Sequence, residues 1–187
     1  VSKEMLAEWM VGRKVIFQIN KKEQVPGQVV LDVQNVNALN NRGLSALNNC
    51  SLTVRQGEIL GIAGIAGNGQ SELAEVITGM RPCQGKIMVN GEDVANRPPK
   101  FAIDRGAAHI PEDRSGVGTA PTMAITGNLI MKKFDQEPIS HNWRISYPAA
   151  KDFATSLKSI YDIQAPSIST AAGKLSGANL QKVILAR

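Results

Sequence analysis

One glycine-rich stretch of the sequence has the spacing of a phosphate-binding loop. It reads GIAGNGQSEL from Gly64 to Leu73 and follows the pattern glycine, four residues, Gly-Lys-Ser/Thr, except that Gln70 occupies the lysine position. Glycines let backbone N–H groups approach a phosphate, and the hydroxyl of Ser71 is the expected Mg²⁺ ligand. The Gln70 amide can donate a hydrogen bond but carries no positive charge, so we expect weak nucleotide binding and poor hydrolysis. The alternative role is a tight turn between strand and helix.

Two further segments carry groups suited to a cation or an anion. In PEDR, Glu112 supplies a carboxylate that could be simply a helix-capping or surface acid. In LSGANLQK, Ser176 and Gly177 start a helix, where free N–H groups and the helix dipole favour a phosphate. The alternatives here are a plain serine-capped helix and, for Lys182, a solvated surface residue.

Hydrophobic patterning predicts the elements that position the glycine loop. QVVLDVQNV and ALNNCSLTV predict two strands around the turn LNNRGL, and EILGIA predicts a strand buried on both faces. After the loop, SELAEVITGM places apolar residues on one helical face. The resulting order of strand, glycine loop and helix is the context that phosphate binding requires.

The remaining segments alternate between short strands and helices. GKIMVNGEDV predicts a strand followed by a turn. Pro98 and Pro99 fit the first turn of a short helix that extends to Arg105, and AAHI predicts a second short buried strand. An amphipathic helix is expected from Val1 to about Val15. In the last third, a helical face is expected to contain four apolar residues: Phe153, Leu157, Ile160 and Tyr161.

Composition narrows the class of protein. The 187 residues are 43% hydrophobic and 20% charged, which is typical of a globular protein, and no apolar run reaches the roughly 18 residues of a membrane helix. Cys50 and Cys83 lie in unrelated contexts, so we expect reduced, structural thiols. The net charge is +5, but the basic residues are dispersed and only 4% of residues are aromatic, which argues against a nucleic-acid partner.

The motif order resembles that of ATP-binding cassette (ABC) proteins. LSGANLQK is similar to their signature motif in the LSGGNQQK form associated with sugar and nucleoside importers, with Ala178 and Leu180 as departures. RQGEILGIAG precedes the loop, HIPEDR stands where the family has its Q-loop, and MVGR resembles the segment that joins a first cassette to a second.

The implied fold class is α/β: a P-loop NTPase ABC cassette with an antiparallel β subdomain, a partial α/β core and a helical subdomain. We expect the sequence to be a piece of a longer protein, ending before the Walker B strand.

The resemblance also implies an organisation and a function. A linker helix would cover residues 1–27, the β subdomain and P-loop core residues 28–114, and the helical subdomain residues 115–187, ending in the signature helix. The expected function is that of the second cassette of a tandem ATPase that imports nucleosides or simple sugars at the cytoplasmic face of the membrane. Its partners would be the first cassette, within the same chain or as a dimer, the transmembrane permease subunits and, indirectly, a solute-binding protein. The alternative is a non-hydrolysing nucleotide-binding or dimerisation module.

The implied ligands are ATP and Mg²⁺. Mg²⁺ would be held by Ser71 and Glu112, although the Glu112 loop could equally serve coupling to the membrane subunits. Ser176 and Gly177 would act on ATP held by the partner cassette, and we expect the isolated chain to be inactive because it contains no catalytic residue of its own.

The adenine-stacking aromatic would fall near Ala38 or Leu39, neither of which is aromatic, so stacking worth roughly 1–3 kcal/mol would be lost. The expected nucleotide contacts are Gly64, Ala66, Gly67, Asn68, Gly69, Gln70, Ser71, Glu72 and Glu112.

Overall fold

The computed structural model describes residues 2–11 and 24–187, and the chain divides into two compact units, Val1–Ala107 and Ala108–Arg187. Helix α1 (Lys3–Val11) confirms part of the predicted N-terminal helix, and its Trp9 and Met10 are exposed. The rest of that prediction, up to Val15, lies outside the described residues. The domain limits inferred from the sequence stay predictions. None of the helices in the described ranges is long and apolar enough to cross a bilayer.

The first unit is built on a four-stranded antiparallel sheet. Its strands are β1 (Val29–Leu39), β2 (Ser45–Arg55), β3 (Gln84–Val89) and β4 (Glu92–Asp93), in the order β2-β1-β3-β4. Val33 of β1 pairs with Leu52 of β2 and with Ile87 of β3. Val33 and Ile87 are fully buried, as the alternating pattern requires for one face of a sheet. The hairpin predicted around LNNRGL and the strand and turn at GKIMVNGEDV are confirmed.

Two short helices complete this unit. Helix α2 (Gln70–Ile77) buries Leu73 and Val76 in the same core as Val33 and Ile87. Helix α3 (Pro99–Asp104) follows Pro98, whose fixed backbone suits the position before a helix. Both helices were predicted from the sequence and are confirmed.

The two predicted buried strands are absent from the described structure. Ile59 to Ala63 form no strand, and Ile59 and Ile62 are 85% and 56% exposed. Residues 107–110 likewise form no strand, and Ile110 is exposed. Apolar sequence alone does not make a strand, because each backbone group needs a neighbouring strand to pair with, and the described residues pair none with these two segments.

The second unit is mainly helical. It contains α4 (Ile125–Ile130), the small hairpin β5 (Ser140–His141) and β6 (Arg144–Ile145), α5 (Tyr147–Ile160) and α6 (Gly177–Ala186). The sequence did not predict the hairpin. The main core of this unit joins residues of α4, α5 and α6 to one residue that follows α5. They are Ile125, Leu129, Ala154, Ile163, Val183 and Ala186.

The buried face of α5 differs from the prediction. Ile160 is 70% exposed and Tyr161 38% exposed, whereas Phe153 and Leu157 are half-buried. The fully buried positions are Ala150 and Ala154. Small side chains let the neighbouring helix approach closely, so the contact surface of α5 lies around its alanines, a feature that hydrophobicity alone does not reveal.

One buried polar side chain holds the start of the second unit together. The amide of Asn128 in α4 has no solvent exposure. Its Nδ2 donates to the carbonyl oxygens of Ala120, Met123 and Ala124 at 3.1, 3.3 and 3.1 Å, and its Oδ1 accepts the Ala120 N–H at 2.8 Å. The amide therefore fixes the loop that precedes α4 to the helix itself.

Candidate functional site

The glycine loop turns sharply into α2. Gly67 and Gly69 have φ values of 89° and 99°, which favour glycine, and Gly69 is the residue that caps the helix. The Asn68 N–H donates to the Ile65 carbonyl at 3.2 Å, and the Leu73 N–H donates to the Gly69 carbonyl at 2.8 Å. The loop thus has the tight geometry predicted for Gly64 to Ser71, followed directly by a helix N-terminus.

The two positive-φ glycines differ in their surroundings. A Cβ at Gly69 would lie 2.5 Å from the Ala46 carbonyl oxygen and 3.1 Å from Leu47 Cδ2, both in β2. A Cβ at Gly67 would meet no atom within 4 Å. Gly69 therefore seats the loop against the sheet, whereas Gly67 faces open space that a bound anion can occupy.

Gln70 is engaged within its own loop. Its Nε2 donates to the Ile65 carbonyl at 3.2 Å and lies 2.5 Å from the position of a Cβ on Gly64. A lysine at this position would extend a charged ammonium, but the glutamine amide instead bonds to the loop backbone. A side chain at position 64 would have to displace the end of the Gln70 side chain, a contact that the sequence did not reveal.

The other loop positions predicted to bind nucleotide are accessible. Ala66, Asn68 and Ser71 are exposed, and Glu72 in the first turn of α2 is half-buried. Ser71 follows the cap residue by two positions, so its hydroxyl stands at the helix N-terminus, where the dipole is positive. These residues share one short segment of the first unit.

The PEDR loop is organised by Asp113 rather than by Glu112. Asp113 Oδ1 accepts the N–H groups of Ser115 and Gly116 at 3.0 and 2.9 Å, and its carbonyl accepts the Gly118 N–H at 2.8 Å. Glu112 is exposed. The helix-capping alternative for Glu112 is wrong, because the next helix begins only at Ile125.

The structure leaves the predicted metal pair untested. Ser71 belongs to the first unit and Glu112 to the second, so a shared Mg²⁺ site stays a prediction. In the part of the chain that the structure describes, no group of three or more His, Cys, Asp or Glu residues is placed to hold a metal ion. A Mg²⁺ ion at Ser71 would therefore need further ligands from the nucleotide phosphates or water.

The LSGANLQK segment forms a capped helix, as predicted. Ser176 is the N-cap of α6, and its Oγ accepts the Asn179 N–H at 3.4 Å. Leu180, Val183 and Ile184 are buried, while Ser176 and Gly177 are exposed. The buried face anchors the helix, and its N-terminus with the Ser176 hydroxyl remains open to an anion.

Two side chains tie α6 to the segment that follows α5. Asn179 Oδ1 accepts the Gln164 N–H at 2.8 Å. Lys182 Nζ donates to the Asp162 carbonyl at 2.6 Å and pairs with its carboxylate at 3.1 Å. The interpretation of Lys182 as a merely solvated residue is therefore wrong, and both contacts were missed because they depend on tertiary packing.

A cavity of about 490 Å³ lies beside the position expected for adenine stacking. Ala38 is buried and Leu39 is 56% exposed, and both line this cavity without offering an aromatic face. Arg81 also lines it and is held in place, because its guanidinium donates to the Leu39 carbonyl and to Asn41 Oδ1 and pairs with Glu75. Cys83 lines the same cavity. Burial raises the pKa of its thiol, and the negative charge of Asp93 raises this pKa further.

Comparison with known proteins gives consistent matches. The family model described as ABC transporter matches residues 47–187. A glucose import ATP-binding protein of Haloferax volcanii is 43% identical, over 100% of this chain and 34% of that protein. A guanosine import ATP-binding protein of Bacillus subtilis is 37% identical, over 100% of this chain and 37% of that protein. The chain thus spans about a third of the length of these curated relatives.

Solved structures match the fold. A nucleotide-free ATP-binding cassette from an ABC transporter superposes with a TM-score of 0.65 at 20% identity, covering 85% of this chain and 64% of that one. A dimeric bacterial ABC transporter cassette gives a TM-score of 0.65 at 16% identity, covering 83% of this chain and 67% of that one. At such identities the likeness concerns the fold alone.

Proposed function

The chain belongs to the ABC transporter family and has the fold of its ATP-binding cassettes, and from this premise we propose that it is the second cassette of a tandem importer ATPase. Full-length members of the family hydrolyse ATP. The names of the relatives, which include glucose, guanosine and galactose import ATP-binding proteins, support a nucleoside or a simple sugar as the cargo. The chain covers about a third of each relative, as expected for part of one cassette in a longer protein.

The proposed partners follow from this role. The first cassette, in the same chain or in a dimer, holds the ATP that the signature helix contacts. Transmembrane permease subunits carry the cargo, and a solute-binding protein delivers it to them. The protein then works at the cytoplasmic face of the membrane as a peripheral subunit. One of the solved structures with the same fold is a cassette dimer, which supports pairing between cassettes.

The observation that carries the proposal is the contrast between the two phosphate-binding segments. Gln70 is uncharged, and its side-chain amide donates a hydrogen bond to the Ile65 carbonyl. The loop therefore presents no positively charged side chain at the lysine position. The α6 N-terminus is exposed and has an ordered serine hydroxyl at its cap. A chain with one weakened loop and an exposed, serine-capped signature helix contributes to catalysis chiefly through the helix.

ATP and Mg²⁺ fit the glycine loop only in part. The backbone of Gly67 and Gly69, the open space at Gly67 and the hydroxyl of Ser71 suit a phosphate and its metal ion. Mg²⁺, when bound, neutralises the phosphate charge and orients the phosphates. The missing ammonium leaves the β- and γ-phosphates with less positive charge than the pattern normally supplies. Glu112 either adds a carboxylate to the Mg²⁺ or contacts the membrane subunits.

Replacing Gln70 by lysine tests the weakness of the loop. In the complete protein that contains this chain, we expect one high-affinity site for a fluorescent ATP analogue with Mg²⁺. The variant Gln70→Lys should gain a second site, with affinity increased about tenfold or more, because a charge-assisted bond replaces a neutral one. Equilibrium titration measures both the number of sites and their affinities.

The matched control is Gln70→Met, which also removes the bond to Ile65 but introduces no charge. We expect no second high-affinity site in this variant. Two equally tight sites in the unmodified protein would contradict the proposal, because the glycine loop would then bind nucleotide fully without a lysine.

A further inference from the structure

The amide of Asn179 has a defined orientation. Its Oδ1 faces the Gln164 N–H at 2.8 Å, and a backbone N–H can only donate. The atom on that side must therefore be the oxygen, which leaves Nδ2 as the atom that faces Ser176. Nδ2 donates to Ser176 Oγ at 3.0 Å. The direction of the hydrogen bond between the two side chains is thus decided by the backbone of a neighbouring segment.

This orientation determines what the Ser176 hydroxyl can do. A serine oxygen has two lone pairs and one proton. Both lone pairs of Ser176 are used, one by the Asn179 side chain at 3.0 Å and one by the Asn179 N–H at 3.4 Å. Only its O–H remains, and among the residues that the structure describes it has no protein acceptor. The hydroxyl is exposed at the helix N-terminus, so its proton is available to an anion outside the chain.

From this geometry we infer that Asn179 is a positioning residue: it holds the Ser176 hydroxyl as a hydrogen-bond donor towards a phosphate oxygen. An ordinary serine cap accepts one backbone N–H, and its hydroxyl rotates freely among several acceptors. The second bond from Asn179 removes that freedom, so the donor is preorganised before the phosphate arrives. This inference rests on the proposed function of the signature helix.

The test is ATP turnover by the complete protein in its assembled importer, with two substitutions at one position. Asn179→Asp keeps an oxygen for the Gln164 N–H but replaces the donor facing Ser176 by an acceptor, so the hydroxyl turns inward to the carboxylate. Asn179→Ala removes both contacts and leaves the hydroxyl free to rotate. We expect kcat to fall at least about tenfold for aspartate and by only a few-fold for alanine. KM for ATP should change less than about twofold in both variants.

The order of the two variants separates positioning from structural support. If Asn179 merely tied α6 to Gln164, aspartate would be nearly harmless and alanine would be worse. That order would overturn the inference. Thermal unfolding of each variant shows whether the protein is folded. If the aspartate variant does not fold, kcat of the alanine variant, which introduces no charge, is still compared with kcat of the unmodified protein.

A double-mutant cycle separates the hydroxyl from simple charge repulsion. In a Ser176→Ala background, Asn179→Asp should cause no further loss of kcat, because its effect passes through the missing hydroxyl. A further tenfold loss in that background would contradict the inference and assign the effect to the negative charge. If Ser176→Ala alone leaves turnover unchanged, the proposed function of the helix fails. If Ser176→Ala lowers turnover and Asn179→Asp does not, only the positioning role fails.

Discussion

Replacing Asn128 by aspartate should lower the free energy of unfolding by about 3 kcal/mol or more. The side chain is fully buried, and its Nδ2 supplies hydrogens to three carbonyl oxygens. Aspartate offers no such hydrogens when ionised, so the carbonyls of Ala120, Met123 and Ala124 keep only their backbone N–H donors and face a buried negative charge. Urea unfolding followed by far-ultraviolet circular dichroism, which reports the helices and strands of both units, measures the loss.

Asn48→Asp is the matched control for this prediction. Asn48 lies in β2 and is exposed, so the same chemical change there should alter the free energy of unfolding by no more than about 0.5 kcal/mol. Similar small effects at both positions would show that the buried amide network around α4 does not contribute as the structure indicates.

Gly69→Ala should destabilise the protein by at least about 2–3 kcal/mol. Two effects combine at this position. The backbone has a φ of 99°, which a residue with a Cβ adopts only at a cost, and the new methyl group would lie 2.5 Å from the Ala46 carbonyl oxygen. The carbonyl belongs to β2, so it can move only with the strand. Calorimetric unfolding of the variant and the unmodified protein measures the difference.

Gly67→Ala separates strain from collision. Gly67 has a similar φ of 89°, but a methyl group there would meet open space. We expect a loss of only about 1–2 kcal/mol, the cost of the backbone conformation alone. Equal losses for the two alanine variants would contradict the close approach of Gly69 to β2.

Features determined by local sequence were predictable. The alternation in Val29–Leu39 and Ser45–Arg55 and the turn between them produced the observed hairpin. Pro98 before α3 and Ser176 before α6 marked both helix starts correctly. These elements depend on short-range patterning and caps, which a sequence displays directly.

Features determined by distant partners were not predictable. Ile59–Ala63 looked like a buried strand, but a strand exists only with a neighbour, and the described residues supply none. In the candidate site, the glycine loop and the helix cap were visible as motifs. Two sets of hydrogen bonds could not be predicted, because they depend on side-chain directions in the folded chain. They join Gln70 to Ile65, and Asn179 to Ser176 and Gln164.

The most direct test of the account is ATP turnover by the complete importer when Ser176 is replaced by alanine. Because the signature helix is proposed to act on ATP held by the partner cassette, kcat should fall at least about tenfold, with nucleotide binding at the partner retained. Ser156→Ala, an exposed change on α5, should leave turnover unchanged. Undiminished turnover in the Ser176→Ala protein would contradict the claim that this chain contributes to catalysis through its signature helix.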